Sequence, residues 1–180
     1  MPNTSLSNAI KEAYSSAPTD AVILHTLEFR HELFSQPIRV ILDNRDWTAR
    51  LENSAPLNGG EFVNFVAFVF DVTLPNLEES ASPQLKIEMD NVTQVIQEQL
   101  QVASISDSLT EVTYRPYLSS NVDGNGRLQS PEMDPPINLN VDSVSVTPLK
   151  ITAIASFSDL GNKTFPTEEY NTTRFPGLLR

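Results

Sequence analysis

The chain has 180 residues, a net charge of -11 at pH 7 and no cysteine, which fits one domain of ordinary size. Its 23 acidic residues outnumber 12 scattered basic ones, which excludes a nucleic-acid-binding protein that holds phosphates with clustered Lys and Arg. The missing cysteines exclude disulfide scaffolds, Cys-type zinc sites and thiol catalysis, and no stretch approaches the roughly 18 apolar residues that cross a bilayer.

Residues 1–18 are predicted to form a short helical arm. Leu6, Ile10 and Tyr14 follow one another at helical spacing, which places them on one face. Pro18 ends this helix, because the residue before a proline is pushed out of the helical region. The same stretch lacks the positive cluster and apolar core of a secretory signal.

Residues 19–157 are predicted to be a β-rich core, because the apolar period changes to two after Asp20. About eight stretches are rich in β-branched and aromatic residues and are bounded by turn residues. These predicted strands are 21–29, 37–43, 47–52, 62–72, 84–89, 109–118, 137–146 and 149–157. The strongest turn signal of the first half is Asn58-Gly59-Gly60.

Segment 62–72 is the most apolar of the chain. Phe62, Phe68 and Phe70 fall on one face of it, and Phe65 falls on the other. Such a strand is either covered on both sides or half covered by a partner subunit. We expect these four aromatic residues to be mainly core. A subunit interface, for which we keep them as candidates, and a carbohydrate groove are the alternatives.

Two further strands carry predicted irregularities. The alternation of strand 137–146 slips between Val141 and Val144, which predicts a β-bulge near residues 142–143. Pro116 cannot donate to a strand ladder, so its strand is predicted to be an edge or to bulge there.

One helix and a C-terminal arm complete the prediction. Asn91 and Gln94 have capping-box spacing, and an apolar stripe follows, so residues 91–103 are predicted to be helical. Residues 158–180 have no clear period and are predicted to be an extended arm, anchored by Phe175 among others. The absence of βαβ alternation favours a single mainly β domain over 1–180. We expect an antiparallel β-sandwich or partly closed barrel with one packed helix.

The motif closest to a metal site is Asn121–Glu132, which nearly matches a calcium-binding loop. Asp123, Asn125 and Glu132 fall at oxygen-ligand positions, and Gly126 falls at the sharp turn. However, an asparagine holds the first ligand position, and the flanking segments are not helical. We favour a hydrophilic surface loop, in which Gly and Asn supply positive φ, and assign no metal.

No catalytic constellation is evident. His25, Glu28, His31 and Glu32 could form a metal or acid–base cluster, but their spacing fits no helical zinc motif, so two surface or edge histidines are favoured. The chain has no G-x-S-x-G nucleophile elbow and no phosphate-binding glycine loop. We therefore expect no enzyme and no cofactor.

Motifs spread along the chain resemble a tailed-bacteriophage protein family known only as a domain of unknown function. The resemblance is collinear from about residue 5 to residue 178. The segments that carry it are 5–14, 17–20, 65–68, 73–75, 87–92, 114–120, 134–136, 155–160 and 174–178. Genes of this family typically follow the tape-measure gene, which implies a minor tail protein at the tail tip.

A weaker likeness concerns residues 83–115. Their strand, helix and strand are similar to the front domain of the L-type minor tail protein of siphophages, a hub subunit that continues the tail tube as a closed β-ring. This likeness implies a tube-type unit of sandwich plus helix. The L-type protein also carries a cysteine-bound cluster, which cannot carry over to a chain without cysteine.

The resemblance implies a structural subunit of a siphophage or prophage tail tip. We expect a distal-tail or hub-type adapter that forms a homo-oligomeric ring between tail tube and tip, and that contacts other tail proteins. Made in the host cytoplasm, it would reside in the virion without membrane insertion. Its acidic side chains would face a channel through which DNA passes without specific binding.

Two alternatives remain open. The first is a carbohydrate- or receptor-binding β-sandwich at the tip, for which Trp47, Tyr114 and Tyr117 are the candidate aromatic contacts. The second is a transient tail assembly factor that is absent from the finished particle.

Overall fold

The computed structural model describes residues 22–73, 84–90, 108–147 and 150–157. The predicted helical arm 1–18, the predicted helix 91–103 and the predicted arm 158–180 lie outside the described residues.

The described residues form nine β-strands and contain no helix. In chain order they are β1 (Ile23–Arg30), β2 (Ile38–Ile41), β3 (Trp47–Arg50), β4 (Phe62–Ala67), β5 (Phe70–Thr73), β6 (Gln84–Asp90), β7 (Glu111–Leu118), β8 (Ile137–Val146) and β9 (Lys150–Ser156). The prediction of a mainly β fold is confirmed.

All nine strands belong to one open sheet, in the order β3-β4-β2-β1-β7-β8-β9-β6-β5. Every pair is antiparallel except β2 and β4, which run parallel. The expectation of purely antiparallel pairing is therefore corrected: the sheet is mixed. The parallel pair arises because β3 intervenes between β2 and β4 along the chain and pairs on the outer side of β4.

Predicted strand 62–72 is in fact two strands, β4 and β5, separated by Phe68 and Val69. Its two parts lie near opposite ends of the strand order, since β4 pairs with β2 and β5 pairs with β6. A link of two residues cannot span a flat sheet of that width. The sheet therefore curves until its ends approach each other.

The concave side of the curved sheet holds the larger apolar core, termed here the interior core. It joins one face of β1, β2 and β7 to β5, β6, β8 and β9. Its buried members are Leu27, Phe29, Val40, Phe70, Leu85, Ile87, Met89, Val112, Tyr114, Leu139, Ile151, Ala153 and Ala155. Each fully buried Leu or Ile contributes roughly 1.5–3 kcal/mol.

A second apolar core lies on the opposite face of β1, β2 and β7, where β3 and β4 cover it. Its buried members are Leu24, Ile41, Trp47, Ala49, Leu51, Val63, Phe65, Tyr117 and Leu128. The three central strands β1, β2 and β7 are consequently covered on both faces.

Both predicted irregularities have a counterpart in the sheet. The register between β8 and β9 shifts between Val141 and Ser143, which confirms the predicted bulge. The pairing of β7 with β8 stops at Tyr114, and beyond it the Pro116 carbonyl accepts a hydrogen bond from the Glu132 N–H at 2.9 Å. Pro116 thus lies where β7 has lost its β8 neighbour, and its missing N–H breaks no β7–β8 bond.

Candidate functional site

The most distinctive feature of the described residues is a group of buried charges on the second face of the central strands. Residues two apart share a face of a strand, so Glu28 and Arg30 lie together on β1. The register places Arg39 opposite Glu28. On β7, Arg115 lies two residues beyond Thr113, the partner of Glu28, and therefore on the same face. With Glu52, which follows β3, these five residues are termed the buried charge cluster.

Glu28 is the acceptor at the middle of the cluster, and its side chain is 0% exposed. Its Oε1 accepts a hydrogen bond from Arg30 Nη1 at 2.8 Å, and its Oε2 accepts one from Arg39 Nε at 2.7 Å. Burying a carboxylate is costly unless it is paired in this way. The position of Glu28 thus depends on two arginines from different strands.

Arg115 is the cation at the middle of the cluster, and its side chain is also 0% exposed. Its Nε and Nη2 donate to the two carboxylate oxygens of Glu52 at 2.7 and 2.8 Å, a bidentate pair. Burial opposes the positive charge, but the Glu52 hydrogen bond and the charge of Glu28 outweigh it, so the pKa of Arg115 lies above its usual value.

Nη1 of Arg115 lies 3.7 Å from Glu28 Oε1. Within the described residues, this nitrogen is the buried side-chain polar atom that has no hydrogen-bond partner. The cluster holds three arginines against two glutamates, and Glu111, which accepts from Arg30 at 3.0 Å, is half exposed. With Glu111 counted, the three arginines of the cluster are matched by three carboxylates.

Glu52 is held by a tight turn, as the Asn58-Gly59-Gly60 signal predicts. The Glu52 carbonyl accepts the Gly60 N–H at 3.1 Å. Asn58 and Gly60 have φ of 57° and 75°, which glycine and asparagine tolerate best. A Cβ at Gly59 would lie 2.7 Å from the carbonyl oxygen of Asn53. The side chain of Asn58 also accepts from Arg39 Nη2 at 3.0 Å, which ties the turn to the cluster.

A cleft opens beside Arg39, between β2 and β4. These strands pair only at Val40 with Val66 and at Ile41 with Ala67, and they diverge N-terminal to that register. The resulting β2–β4 cleft has a volume of about 590 Å³. Its polar and apolar lining includes Gln36, Arg39, Asn58, Glu61, Asn64, Val66 and Phe68.

A model of one protein family matches residues 9–170 of the chain. The chain belongs to the DUF1833 family. The description of that family is a domain of unknown function, so membership assigns no activity to the cluster or to the cleft. No curated protein matches this DUF1833 chain.

The candidate ligands of the calcium-like loop of the DUF1833 chain are hydrogen-bonded to other residues of the same loop. Asp123 Oδ2 accepts from Arg127 Nε at 2.8 Å, and Oδ1 accepts the N–H groups of Asn125 and Arg127 at 2.9 Å. The Arg127 N–H bond is the main reason why the pKa of Asp123 is lowered. Glu132 accepts from the Asn121 amide at 3.0 Å. A cation at Asp123 would have to displace Arg127.

The same loop covers one edge of the sheet. The Leu128 N–H donates to the Thr48 carbonyl, and its carbonyl accepts from the Arg50 N–H, both at 2.9 Å. Gly126 adopts a φ of 74°, as its predicted turn position requires. Over the described ranges, no group of three or more His, Asp or Glu side chains could hold a metal ion. In that same part of the chain, no helix is long and apolar enough to span a membrane.

Of the four residues considered for a metal or acid–base cluster, His25, His31 and Glu28 each have a different partner. His25 Nδ1 lies 2.8 Å from the Tyr114 hydroxyl, and burial lowers the pKa of this imidazole. His31 Nε2 lies 2.9 Å from Ser108 Oγ, and its side chain is buried. The expectation of two surface or edge histidines is therefore corrected for His31. Glu28 belongs to the buried charge cluster.

The aromatic candidates for a carbohydrate site are core residues. Trp47, Tyr114 and Tyr117 are all buried, because Tyr114 faces the interior core while the other two belong to the second core. The Tyr117 hydroxyl donates to the Arg50 carbonyl at 3.0 Å, and burial raises the pKa of this phenol. None of the three offers an open stacking face to a sugar.

The interface candidates of the DUF1833 chain divide in a similar way. Phe65 and Phe70 are buried core residues, and Phe68 packs partly buried against the interior core. Phe62 is half-buried, with the Arg127 guanidinium 4.0 Å above its ring. The other interface candidates, Leu6, Ile10, Tyr14 and Phe175, lie outside the described residues.

Sequence reasoning missed the buried charge cluster and the cleft beside it. A signal was present, since Glu28 and Arg115 interrupt strands that are otherwise rich in residues typical of sheet interiors. Charged residues at such positions are buried only with partners. The identity of those partners depends on pairing between distant strands, which local patterns do not encode.

Proposed function

We propose that this DUF1833 chain is a structural subunit of a siphophage or prophage tail tip, a distal-tail or hub-type adapter that forms a ring between tail tube and tip. The resemblance to tailed-phage proteins, which runs along nearly the whole chain, supports a location in the phage tail. The physical support comes from the edges and exposed apolar residues of the sheet.

The difference between the two sheet edges is the observation that carries this proposal. Strand β3 is covered by Leu128, whereas β5 pairs only with β6 within the described residues. Monomeric β proteins usually protect their edges, because an open edge invites pairing with another chain. Within the described residues, the outer edge of β5 has no strand partner, and such an edge suits a subunit that extends its sheet into a neighbour.

Exposed apolar residues flank the same corner of the sheet. Val66 at the end of β4 is 50% exposed, and Val69, just before β5, is 69% exposed. Leu42 after β2 is exposed as well, and it lies near them because the Phe68 N–H donates to the Ile41 carbonyl. A subunit contact at this corner would remove these side chains from water.

The net charge of -11 is compatible with a channel-lining subunit. Acidic side chains around a lumen repel the phosphate backbone, so DNA would pass without sticking. Under this proposal, Asp and Glu concentrate on the inner surface of the assembled ring.

Peptide mass spectrometry of purified tail-bearing particles tests the proposal. The expected result is several copies of this chain per particle, with particles lacking a complete tip when its gene is deleted. Absence of the chain from finished particles, with normal abundance in the infected cell, would refute the structural role and indicate a transient assembly factor instead.

A further inference from the structure

The link between β1 and β2 begins with a tight turn that is held by a histidine ring. His31 follows β1 and is 8% exposed. Its carbonyl accepts the Phe34 N–H at 3.1 Å, and its Nδ1 accepts the Leu33 N–H, also at 3.1 Å. The side chain of His31 thus closes the turn in the way that an Asn or Asp side chain closes an Asx turn, by accepting a backbone N–H two residues on.

The other ring nitrogen ties this turn to the segment before β7. Nε2 of His31 lies 3.2 Å from the Ser108 carbonyl oxygen and 2.9 Å from Ser108 Oγ. The ring centroid of Phe34 lies 5.3 Å from that of His31, and Phe34 packs against the interior core. The imidazole therefore connects the turn with the approach to β7 and, through Phe34, with the interior core.

The partners of the two ring nitrogens determine which of them carries the proton. A backbone N–H only donates, so Nδ1 of His31 must offer its lone pair to Leu33. A carbonyl oxygen only accepts, so Nε2 must carry the proton where it meets Ser108. Both conditions describe the neutral Nε2–H tautomer. The same tautomer makes Ser108 a poor nucleophile, because the nitrogen beside its hydroxyl is a donor and not a base.

Protonation of this ring removes an acceptor that the turn uses. Both nitrogens of an imidazolium are N–H donors, so a protonated Nδ1 would oppose the Leu33 N–H, whereas Nε2–H would keep its bond to Ser108. Histidine is the side chain that ordinarily changes its charge between pH 5 and 8. Acid therefore acts on one of the two contacts of the ring and spares the other.

Charged groups approach the ring from the turn and from the neighbouring strands. Glu32 is the next residue of the turn and is exposed. Arg30 and Arg39 belong to the buried charge cluster, and Arg30 also pairs with Glu111 at the start of β7. Asp142 is exposed on β8, the strand beyond β7. The buried members of the interior core are all uncharged. Titration of these carboxylates must therefore be separated from titration of the ring.

We propose that His31 is a pH-dependent switch, in which protonation of Nδ1 releases the Leu33 N–H and opens the turn between β1 and β2. A proton from solvent binds the Nδ1 lone pair, and the hydrogen bond from Leu33 is the contact that breaks. The ring stays with Ser108, whereas Phe34 is no longer held against the interior core by a closed turn. The switch is a property of the folded chain itself and does not depend on a role in the phage tail.

Amide hydrogen exchange measured by NMR on the full-length chain tests the switch. Between about pH 8 and pH 5, the ring signals of His31 should titrate. Over the same range we expect the protection of the Leu33 amide, corrected for intrinsic exchange, to fall about tenfold, the size of one net hydrogen bond. The Asn121 amide, which donates to the Leu118 carbonyl at 3.0 Å, is the control and should keep its protection. A ring that does not titrate in this range, or a Leu33 amide that ignores its titration, would overturn the proposal.

Two histidine variants assign the response to this ring. His31→Asn keeps a side-chain acceptor for the Leu33 N–H but removes the titrating group, so we expect its protection to be independent of pH. His25→Asn removes the other histidine of the chain and should respond as the parent does. A response that persists in His31→Asn or disappears in His25→Asn would refute the proposal. If His31→Asn does not fold, the coincidence of the Leu33 and His31 titrations in the parent decides.

The neighbouring carboxylates need a control of their own. Glu32→Gln, Glu111→Gln and Asp142→Asn each remove one of them. Asp107→Asn removes the carboxylate next to Ser108 in the sequence, which lies outside the described residues. Each variant should retain the pH response of the Leu33 amide. Loss of that response in one of them, with the ring of His31 still titrating, would assign the switch to the carboxylate and contradict the proposal.

Discussion

Both faces of the central strands β1 and β7 are buried, but one is stabilised by apolar packing and the other by paired charges. One face presents Leu27 and Phe29 to the interior core, where packing needs shape but no particular partner. The other face presents Glu28 and Arg115, fully buried and held by specific donors and acceptors. We expect the charged layer to specify the register of β1, β2 and β7, because it tolerates fewer arrangements, and the apolar layer to supply most of the driving force.

The largest expected effect follows from removing the central cation. Arg115→Ala leaves Glu52 without its bidentate partner, and we expect a loss of about 3–5 kcal/mol in the free energy of unfolding. Urea denaturation measures it. Arg127→Ala, which breaks a partly exposed pair with Asp123, is the matched control and should cost less than about 1 kcal/mol. Equal losses in the two variants would mean that burial does not distinguish the pairs.

On the apolar face, Leu27→Ala should cost about 3 kcal/mol, because Leu27 is fully buried and the interior core cannot collapse completely around the cavity. The measurement is the same denaturation curve. A loss below about 1 kcal/mol would show that the interior core is loosely packed.

A further variant tests the charged face by replacing both partners of the ion pair instead of removing one of them. Arg115→Met together with Glu52→Leu removes both charges and leaves Glu28 with Arg30 and Arg39. We expect the free energy of unfolding to stay within about 1 kcal/mol of the parent. A double variant as unstable as Arg115→Ala alone would show that the pair itself, and not the penalty of an orphaned charge, carries the stability.

The smallest expected effect on stability comes from a solvent-accessible group of charged side chains on β6 and β9. Hydrogen bonds from Lys150 and then Lys86 lower the pKa of Glu88 from 4.5 to about 2. Because the folded-state pKa is lowered, the stabilising contribution is present above about pH 4.5 and is lost as the pH falls toward 2. An NMR titration of the Glu88 carboxyl should show this pKa, and Lys150→Ala should raise it. An unchanged pKa in that variant would contradict the assigned cause.

Local patterns predicted much of the sheet. The slip of alternation between Val141 and Val144 located the β8 bulge, and Asn58-Gly59-Gly60 located the turn that holds Glu52. In both places the cause lies within a few residues of the signal. Strand periods and turn residues are local properties, so a sequence reveals them directly.

Features that depend on distant strands were not predictable. The break at Phe68 and Val69 carries no turn residue, because curvature of the sheet imposes it. The parallel pairing of β2 with β4 and the convergence of Glu28 with Arg115 depend on the strand order, which residue periodicity does not determine. Thus the strands were predictable, and the candidate site that they assemble was not.

A cryo-EM map of the tail tip tests the central claim most directly. The account predicts a ring of copies of this chain between tail tube and tip, with the β5 edge of each copy at a subunit contact and acidic side chains toward the channel. A complete tip whose density leaves no place for this chain would contradict the account.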